Sequence, residues 1–484
     1  MTPCGAPRAL TDGGASESTD GTVVRPLPHR AWENRPVPLD LIYDDPASDV
    51  VLDAAASVRR SILPGGVRLL TETDRSVRSA TLGLWLPVGS RDERPEHAGS
   101  THVLEHLLFK GTARRTAMQI ATAFDEVGGD SNAVTAKEHT LYYGRVRSAD
   151  VPMAVDVLVD MITSSLLEES ALATEREVIL EELAMAEDDP GDVGYETFLA
   201  HVLGPETAIG RPVGGTAATV NALGIEDVRA HWREHYRPDN LVVTAVGDVD
   251  HDQLAQLLSA GLRRGGWDLE DGRLPHRRTR APHVHPVRDD SPGVPAAAVD
   301  GIAPHRLVRP TEQNHIYLGG VGLTALDEKR HTLSVLMSIL GGGMSSRLFQ
   351  QVREQRGLAY SVYSFSAGYR DAGLFGMYAA CRPSRTAEVV ELLAQELTDM
   401  GERGVDAEEM RRAHGQITGS FALGLEDTSS RMGRLGTIEL MHGRYSSIDE
   451  VLARISRVGA EDVQALAAHL ASSFTTRIDV GPEA

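Results

Sequence analysis

Ser100-Thr-His-Val-Leu-Glu-His-Leu-Leu-Phe-Lys-Gly111 reads as one short amphipathic helix, and the segments on both sides take their meaning from it. Val103, Leu104, Leu107 and Leu108 recur at the spacing of one helical face, Ser100 or Thr101 can cap the start, and Gly111 can end it. His102, Glu105 and His106 fall at i, i+3 and i+4, so they converge on one face while the leucines point away. Upstream, Ala80-Thr-Leu-Gly-Leu-Trp-Leu86 sets Leu82, Leu84 and Leu86 on one side, the period-two mark of a strand. Downstream, Ile120, Phe124 and Val127 mark a second helix before Gly128-Gly129, and Asn132 to Val146 reads as an extended strand. Helices near 151–165 and 168–187 and the apolar strand Leu241-Val-Val-Thr-Ala-Val246 complete one α+β domain.

The same order returns later in the chain. A strand at 315–323, helices near 331–340 and 345–356, a strand from Leu358, helices near 385–401 and 406–425, and a closing strand at 475–480 repeat the first pattern. The expected architecture is therefore two duplicated α+β domains of similar topology, each a largely antiparallel mixed sheet packed with helices. Residues 1–55, rich in Gly, Ser, Thr, Pro and Asp, read as a flexible extension; 56–265 form the first domain, 266–312 a Pro- and Arg-rich linker, and 313–484 the second domain. The helix Thr332-Leu-Ser-Val-Leu-Met-Ser-Ile-Leu340 contains no His, Glu or Asp, which leaves chemistry to the first domain and support to the second. Gly341-Gly-Gly343 reads as a helix-ending turn, since no Lys-Ser or Lys-Thr follows to make a phosphate cradle.

Composition narrows the function. The chain has 484 residues, 41% hydrophobic and 24% charged, which is ordinary for a globular enzyme and argues against a disordered or fibrous protein. A net charge of −21 disfavours nucleic acid as a partner and favours basic ones. Two cysteines, Cys4 and Cys381, imply no disulfide framework. Nothing approaches the ~18 consecutive apolar residues of a membrane span, and residues 1–30 lack a secretory apolar region, so a cytoplasmic location is expected.

His102-Val-Leu-Glu-His106 is an H-x-x-E-H pattern. Two imidazoles suit zinc, and a catalytic zinc usually takes three protein ligands and a water, so a third ligand is required. Thr174-Glu-Arg-Glu-Val-Ile-Leu-Glu-Glu-Leu183 offers candidates: at ~100° per residue Glu175 and Glu182 lie within ~20° of each other, between Val178 and Ile179, and are expected to face inward. Glu177 and Glu181 fall on a solvated side. Read blandly, the segment is an acidic surface helix and the histidines are surface groups. Read sharply, Glu182 is the third ligand and Glu175 the acceptor that orients a ligand or water.

Taken together, Gly99-Ser-Thr-His-Val-Leu-Glu-His-Leu-Leu-Phe-Lys-Gly-Thr112, Asn132-Ala-Val-Thr-Ala-Lys-Glu-His-Thr140, the Glu175 to Glu182 segment, and Gly341-Gly-Gly-Met-Ser-Ser-Arg-Leu-Phe349 running to Tyr360 resemble the pitrilysin-like (M16) metallopeptidases. The processing-peptidase branch is the nearest in pattern, and the resemblance spans roughly residues 60–480. It implies the M16/LuxS-like metallohydrolase fold, one Zn2+ per chain held by His102, His106 and Glu182, Glu105 as general base, and Glu175 in support. It further implies that Asn132 and Ala133 lie on an edge strand that pairs with substrate backbone, and that Arg353 and Tyr360 help to hold substrate. Their blander alternatives are a turn asparagine for Asn132, a helix C-terminal cation for Arg353 and a half-buried strand residue for Tyr360.

The implied activity is endopeptidase cleavage of extended or unfolded peptides, such as presequences, leaders or short peptides, within a dimeric chamber. A homodimer is the simpler expectation, with a heterodimer of related subunits or a noncatalytic scaffold role as alternatives. The acidic charge adds a preference for basic peptides. The chain departs from the family pattern at Ser100-Thr101, in its long extension and at 286–300, and none of these removes a catalytic group.

Overall fold

A computed structural model describes residues 39–277 and 302–483. The first half contains β1 (Leu39–Asp40), β2 (Asp49–Asp53), β3 (Val58–Leu63), β4 (Val67–Thr73), β5 (Ser79–Leu86), α1 (Ser100–Leu108), α2 (Ala117–Asp125), β6 (Asp130–Thr135), β7 (Thr140–Arg147), α3 (Val151–Ser164), α4 (Glu169–Asp188) and β8 (Val242–Gly247). The second contributes β9 (His305–Val308), β10 (Asn314–Val321), β11 (Ala359–Gly368), β12 (Gly373–Cys381), β13 (Arg444–Tyr445) and β14 (Thr476–Gly481).

Strand order establishes the duplication. The seven-stranded sheet runs β2-β3-β4-β8-β5-β7-β6 and the five-stranded one β9-β14-β10-β12-β11. From β4 and from β9 onward the two orders correspond strand for strand. In each, the first pair is parallel, β4 with β8 and β9 with β14, and the following pairs are antiparallel. The first sheet adds the β2–β3 hairpin at one side.

Each sheet buries both faces. On β5 the expected leucine face, Leu82, Leu84 and Leu86, packs against Val103, Leu104, Leu107 and Leu108 of α1 and against α3. The opposite face, with Leu70, Trp85, Val242 and Val246, is covered by Met432 and Leu435 of the helix Thr428–Thr437, which comes from the second half. Burial on both sides explains why β5 and β8 read as nearly continuous apolar runs. The second sheet receives the reciprocal service. Phe198, Leu199, Val202 and Leu203 of the helix Pro190–Leu203 pack on Tyr317, Leu374, Ile478 and Val480.

Polar contacts reinforce the exchange. Arg60 on β3 meets both oxygens of Glu439, Nε at 2.8 Å and Nη2 at 2.9 Å, and Arg68 on β4 lies 3.9 Å from the same carboxylate. All three side chains are buried. Thr81 and Thr428 share a hydrogen bond of 2.8 Å, and Arg431 pairs with Glu72.

Several sequence expectations need correction. Residues 39–55, assigned to the extension, include β1, β2 and the buried Leu41 and Leu52, while the earlier part of 1–55 lies outside the described residues. The linker 266–312 is described only in part, and it contains β9, whose flanking Pro304 and Pro310 and mostly exposed side chains hide it from a pattern reading. Asn132 to Val146 is a hairpin, not one strand. Its turn has neither Gly nor Pro, and it is held from outside the strands by Ser90 N–H donating to the Ala136 carbonyl and Arg91 N–H to that of Lys137, each at 3.1 Å. Among the described residues no helix is long and apolar enough to cross a membrane.

Candidate metal centre

α1 is fixed at its N-terminus by a side chain distant from the expected cap. Gly99 takes φ of 96°, open to glycine at little cost, and the Glu93 carboxylate accepts from the backbone N–H of Gly99 at 2.8 Å and of Thr101 at 2.7 Å. Ser100 and Thr101 are therefore inside the helix and buried, and neither caps it. Burial pushes the Glu93 carboxyl up to about 7 against those backbone donors.

This start sets the azimuth of the helix and aims His102, Glu105 and His106 at α4. His102 Nε2 lies 3.7 Å and His106 Nε2 3.5 Å from Glu182 Oε2, and potential ligand atoms of the three residues all fall within 4.8 Å of one another. A tetrahedral zinc with bonds of about 2.0–2.2 Å needs donors about 3.3–3.6 Å apart, so the set fits the ion with only small side-chain adjustment. Glu175 Oε2 stands 3.0 Å from His106 Nδ1 and its Oε1 receives Lys110 Nζ at 2.7 Å. That hydrogen bond places the proton on Nδ1 and leaves the Nε2 lone pair toward Glu182. Burial, with a smaller contribution from His106, holds the His102 imidazole down to about 4, which keeps it in the neutral, ligating form.

Glu105 accepts a hydrogen bond from the Thr135 hydroxyl through Oε2. Burial raises its pKa above the usual carboxylate range, opposed by Thr135 and by the field of His106. The wheel reading of α4 is half right. Glu175 is buried beside Ile179, but Val178 is exposed and the Glu182 side chain is 46% exposed.

The other expected residues occupy two further places. Asn132 and Ala133 are on β6, the terminal strand of the seven-stranded sheet, where the Asn132 carboxamide oxygen accepts from the Ala133 N–H at 2.8 Å. Arg353, in the helical turn Phe349–Glu354, donates to the Tyr360 carbonyl at 3.0 Å and lies over the rings of Tyr360 and Phe349 at 4.3 and 4.7 Å. Tyr360 is 76% exposed on the edge strand β11, not half-buried. Among the described residues no hydrogen bond or ion pair joins this pair to the histidines.

The profile described as insulinase (peptidase family M16) matches residues 68–215, which hold the histidine–glutamate set, and the one described as peptidase M16 inactive domain matches 222–417. The chain belongs to peptidase family M16. An uncharacterized zinc protease of Streptomyces coelicolor is 48% identical to this M16 chain over 88% of it and 90% of the relative, and one of Bacillus subtilis is 33% identical over 85% and 95%. In fold, the M16 chain is similar to an M16 inactive-domain structure from Pseudomonas fluorescens (TM-score 0.76, 19% identity, covering 88% and 98%). It is also similar to a protease from Helicobacter pylori (TM-score 0.75, 19% identity, covering 87% and 99%).

Three contributors to the M16 site escaped the sequence reading. Lys110 was within reach, because it follows His106 by four residues and so shares its face. Thr135 follows Ala133 by two on β6 and had a spacing signal only once the hairpin was recognised. Glu93 precedes the helix across a segment of irregular chain, and no local signal marks it as a cap.

Proposed function

We propose that the chain is a zinc-dependent endopeptidase acting on extended peptides. The observation that carries this is the convergence of His102, His106 and Glu182 at zinc-compatible spacing with Glu105 on the same face of α1. The names of the relatives agree with it. One zinc per chain bound there would supply Lewis-acid polarisation of the scissile carbonyl and acidification of a water. His102 and His106 would hold the ion through ring nitrogens and Glu182 through a carboxylate oxygen. Glu105 Oε2 is engaged by Thr135, which leaves Oε1 to take the water proton and return it to the leaving amine. The raised pKa of Glu105 suits a group that must both accept and give back a proton.

Substrate alignment follows from β6. On this terminal strand the Ala133 N–H donates to the Asn132 carboxamide oxygen at 2.8 Å, and that oxygen is read as standing in for the carbonyl of an added strand. A peptide laid along this edge exchanges with that carboxamide and runs past Glu105 and Thr135. The Arg353–Tyr360 pair is bonded to each other, with Tyr360 exposed, and we read it as serving the site of a second copy in a homodimer. The net charge of −21 favours basic peptides.

The test is a pair of variants assayed for zinc content and for chelator-sensitive cleavage of an unstructured basic peptide. Glu105→Gln keeps zinc and loses hydrolysis by a factor of about 10²–10⁴; His102→Ala loses both. Full zinc retention in the His102 variant, or undiminished cleavage by the Glu105 variant, overturns the assignment.

A further inference from the structure

A cavity of about 1250 Å³ opens at the N-terminus of the helix Arg330–Gly341, bordered by the turn Ile438–His442, the helix Ile448–Ser456 and the segment around Leu41. None of the metal-site residues lines it. In a chain of net charge −21, this lining holds seven Arg or Lys side chains against the three carboxylates Asp40, Glu328 and Asp462.

Two of these cations are ion-paired. Arg444 pairs with Asp40 and Arg454 with Glu450, each at 2.7 Å. Arg277, Lys329, Arg330, Arg434 and Arg457 make no ion pair among the described residues, although Asp40 feels the charge of Arg277, and Asp327 and Glu328 that of Arg330. Arg330 donates to the Asp327 carbonyl at 3.0 Å, Arg434 to that of Ser446, and Arg277 lies over the Tyr43 ring at 4.7 Å. A guanidinium on a carbonyl or a ring keeps its full positive charge.

The helix Arg330–Gly341 adds to the same field. It has no acidic residue in its first turn; Asp327 accepts from the Lys329 N–H through its carboxylate at 2.7 Å and from the Arg330 N–H through its carbonyl at 3.2 Å, which leaves the N–H groups of His331 and Thr332 unbonded among the described residues. Within the lining, Nε2 of His331 is buried and has no hydrogen-bond partner. Burial and the neighbouring arginines hold both His331 and His442 down to about 4, a local report of the positive potential. Leu326, Phe421, Val451 and Val458 line the same space and give it an apolar wall.

We propose that this cavity binds a compact organic polyphosphate of about nucleotide size. Ligand pockets commonly enclose about 300–1,000 Å³, so the space is sufficient for such a molecule. Several fixed cations around one volume call for several negative charges on one small body. Forked guanidiniums and free backbone N–H groups match the tetrahedral oxygens of phosphate. The apolar wall takes the organic part. Nothing in this site depends on the zinc chemistry.

The test titrates the zinc-loaded full-length chain with ATP and with inorganic tripolyphosphate by calorimetry, with zinc content measured before and after because both probes bind the metal. The expected result is saturable one-to-one binding of ATP, tighter than tripolyphosphate. In the double variant Lys329→Gln/Arg457→Gln it weakens by about tenfold or more, the worth of a charged hydrogen bond. Both side chains are exposed, so the fold is kept. Arg411→Gln, an exposed charge outside the cavity, leaves the affinity unchanged. Equal affinity in the double variant, tripolyphosphate binding as tightly as ATP, or no saturable binding at millimolar probe overturns the proposal. So does saturable binding of a polyglutamate peptide without binding of ATP, which would make the cavity a docking site for an acidic segment.

Discussion

Replacing Glu175 separates the support of the metal site from its ligands. Its carboxylate joins His106 Nδ1 at 3.0 Å to Lys110 Nζ at 2.7 Å, and it is buried. Glu175→Gln keeps an oxygen that can accept from the imidazole but removes the charge. A charge-assisted hydrogen bond is roughly twice as strong as a neutral one, and the expected loss is about tenfold in zinc affinity, or about 1.4 kcal/mol. Glu175→Ala removes the acceptor altogether, frees the His106 ring to rotate and leaves Lys110 without its counter-ion. The loss then approaches hundredfold, about 2.7 kcal/mol, the upper end of what an orienting partner is worth. Competition against a fluorescent zinc chelator at neutral pH gives both affinities, and circular dichroism confirms that the variants are folded. At saturating zinc, cleavage should recover most of its rate, because Glu105 is untouched. A folded Glu175→Ala chain that binds zinc as tightly as the parent would refute the reasoning.

Glu439→Ala leaves Arg60 and Arg68 buried without their counter-ion; breaking such a pair costs about 3–5 kcal/mol, read as a lowered urea midpoint, and a change below about 1 kcal/mol contradicts the role assigned to it. Thr135→Val removes the donor that favours ionised Glu105, so the Glu105 pKa rises and the acid limb of kcat/KM moves to higher pH, whereas an unmoved limb argues against Glu105 as the base. His231 falls from its ordinary 6.5 to about 3 through burial and the nearby His235 and His97, so between those values the unfolded chain binds a proton that the folded chain does not. Stability therefore drops as pH falls through that window, and His231→Gln should flatten the dependence of the thermal midpoint on pH between 6.5 and 4.

The candidate metal set was legible as a convergence of side chains, because helical spacing alone brings His102, Glu105 and His106 together and puts Glu175 and Glu182 on one side of α4. The duplication was legible from element order. What escaped was non-local. The Glu93 cap, the turn at Ala136–His139 pinned by residues 90 and 91, and the parallel strand β9 all depend on partners supplied by other parts of the chain. The exposure of Val178 and Glu182 escaped as well, because a helical wheel records direction but not where the covering layer stops. Asn132 and Tyr360 lie on edge strands, where local composition resembles a turn or an ordinary half-buried strand.

The crossed helices Pro190–Leu203 and Thr428–Thr437 bear on how this chain can be divided. A cut within 266–312 would separate the sequence repeats without separating the structure. The N-terminal fragment would present Trp85, Leu70, Val242 and Val246 to water and keep Arg60 and Arg68 without their carboxylate, while the other would uncover Tyr317, Leu374 and Val480. Neither piece could be expected to persist alone, yet each carries what the other lacks. Expressed together as two polypeptides, they should find each other and rebuild the same clasp, so the covalent connection between the repeats sets their stoichiometry more than it sets their fold.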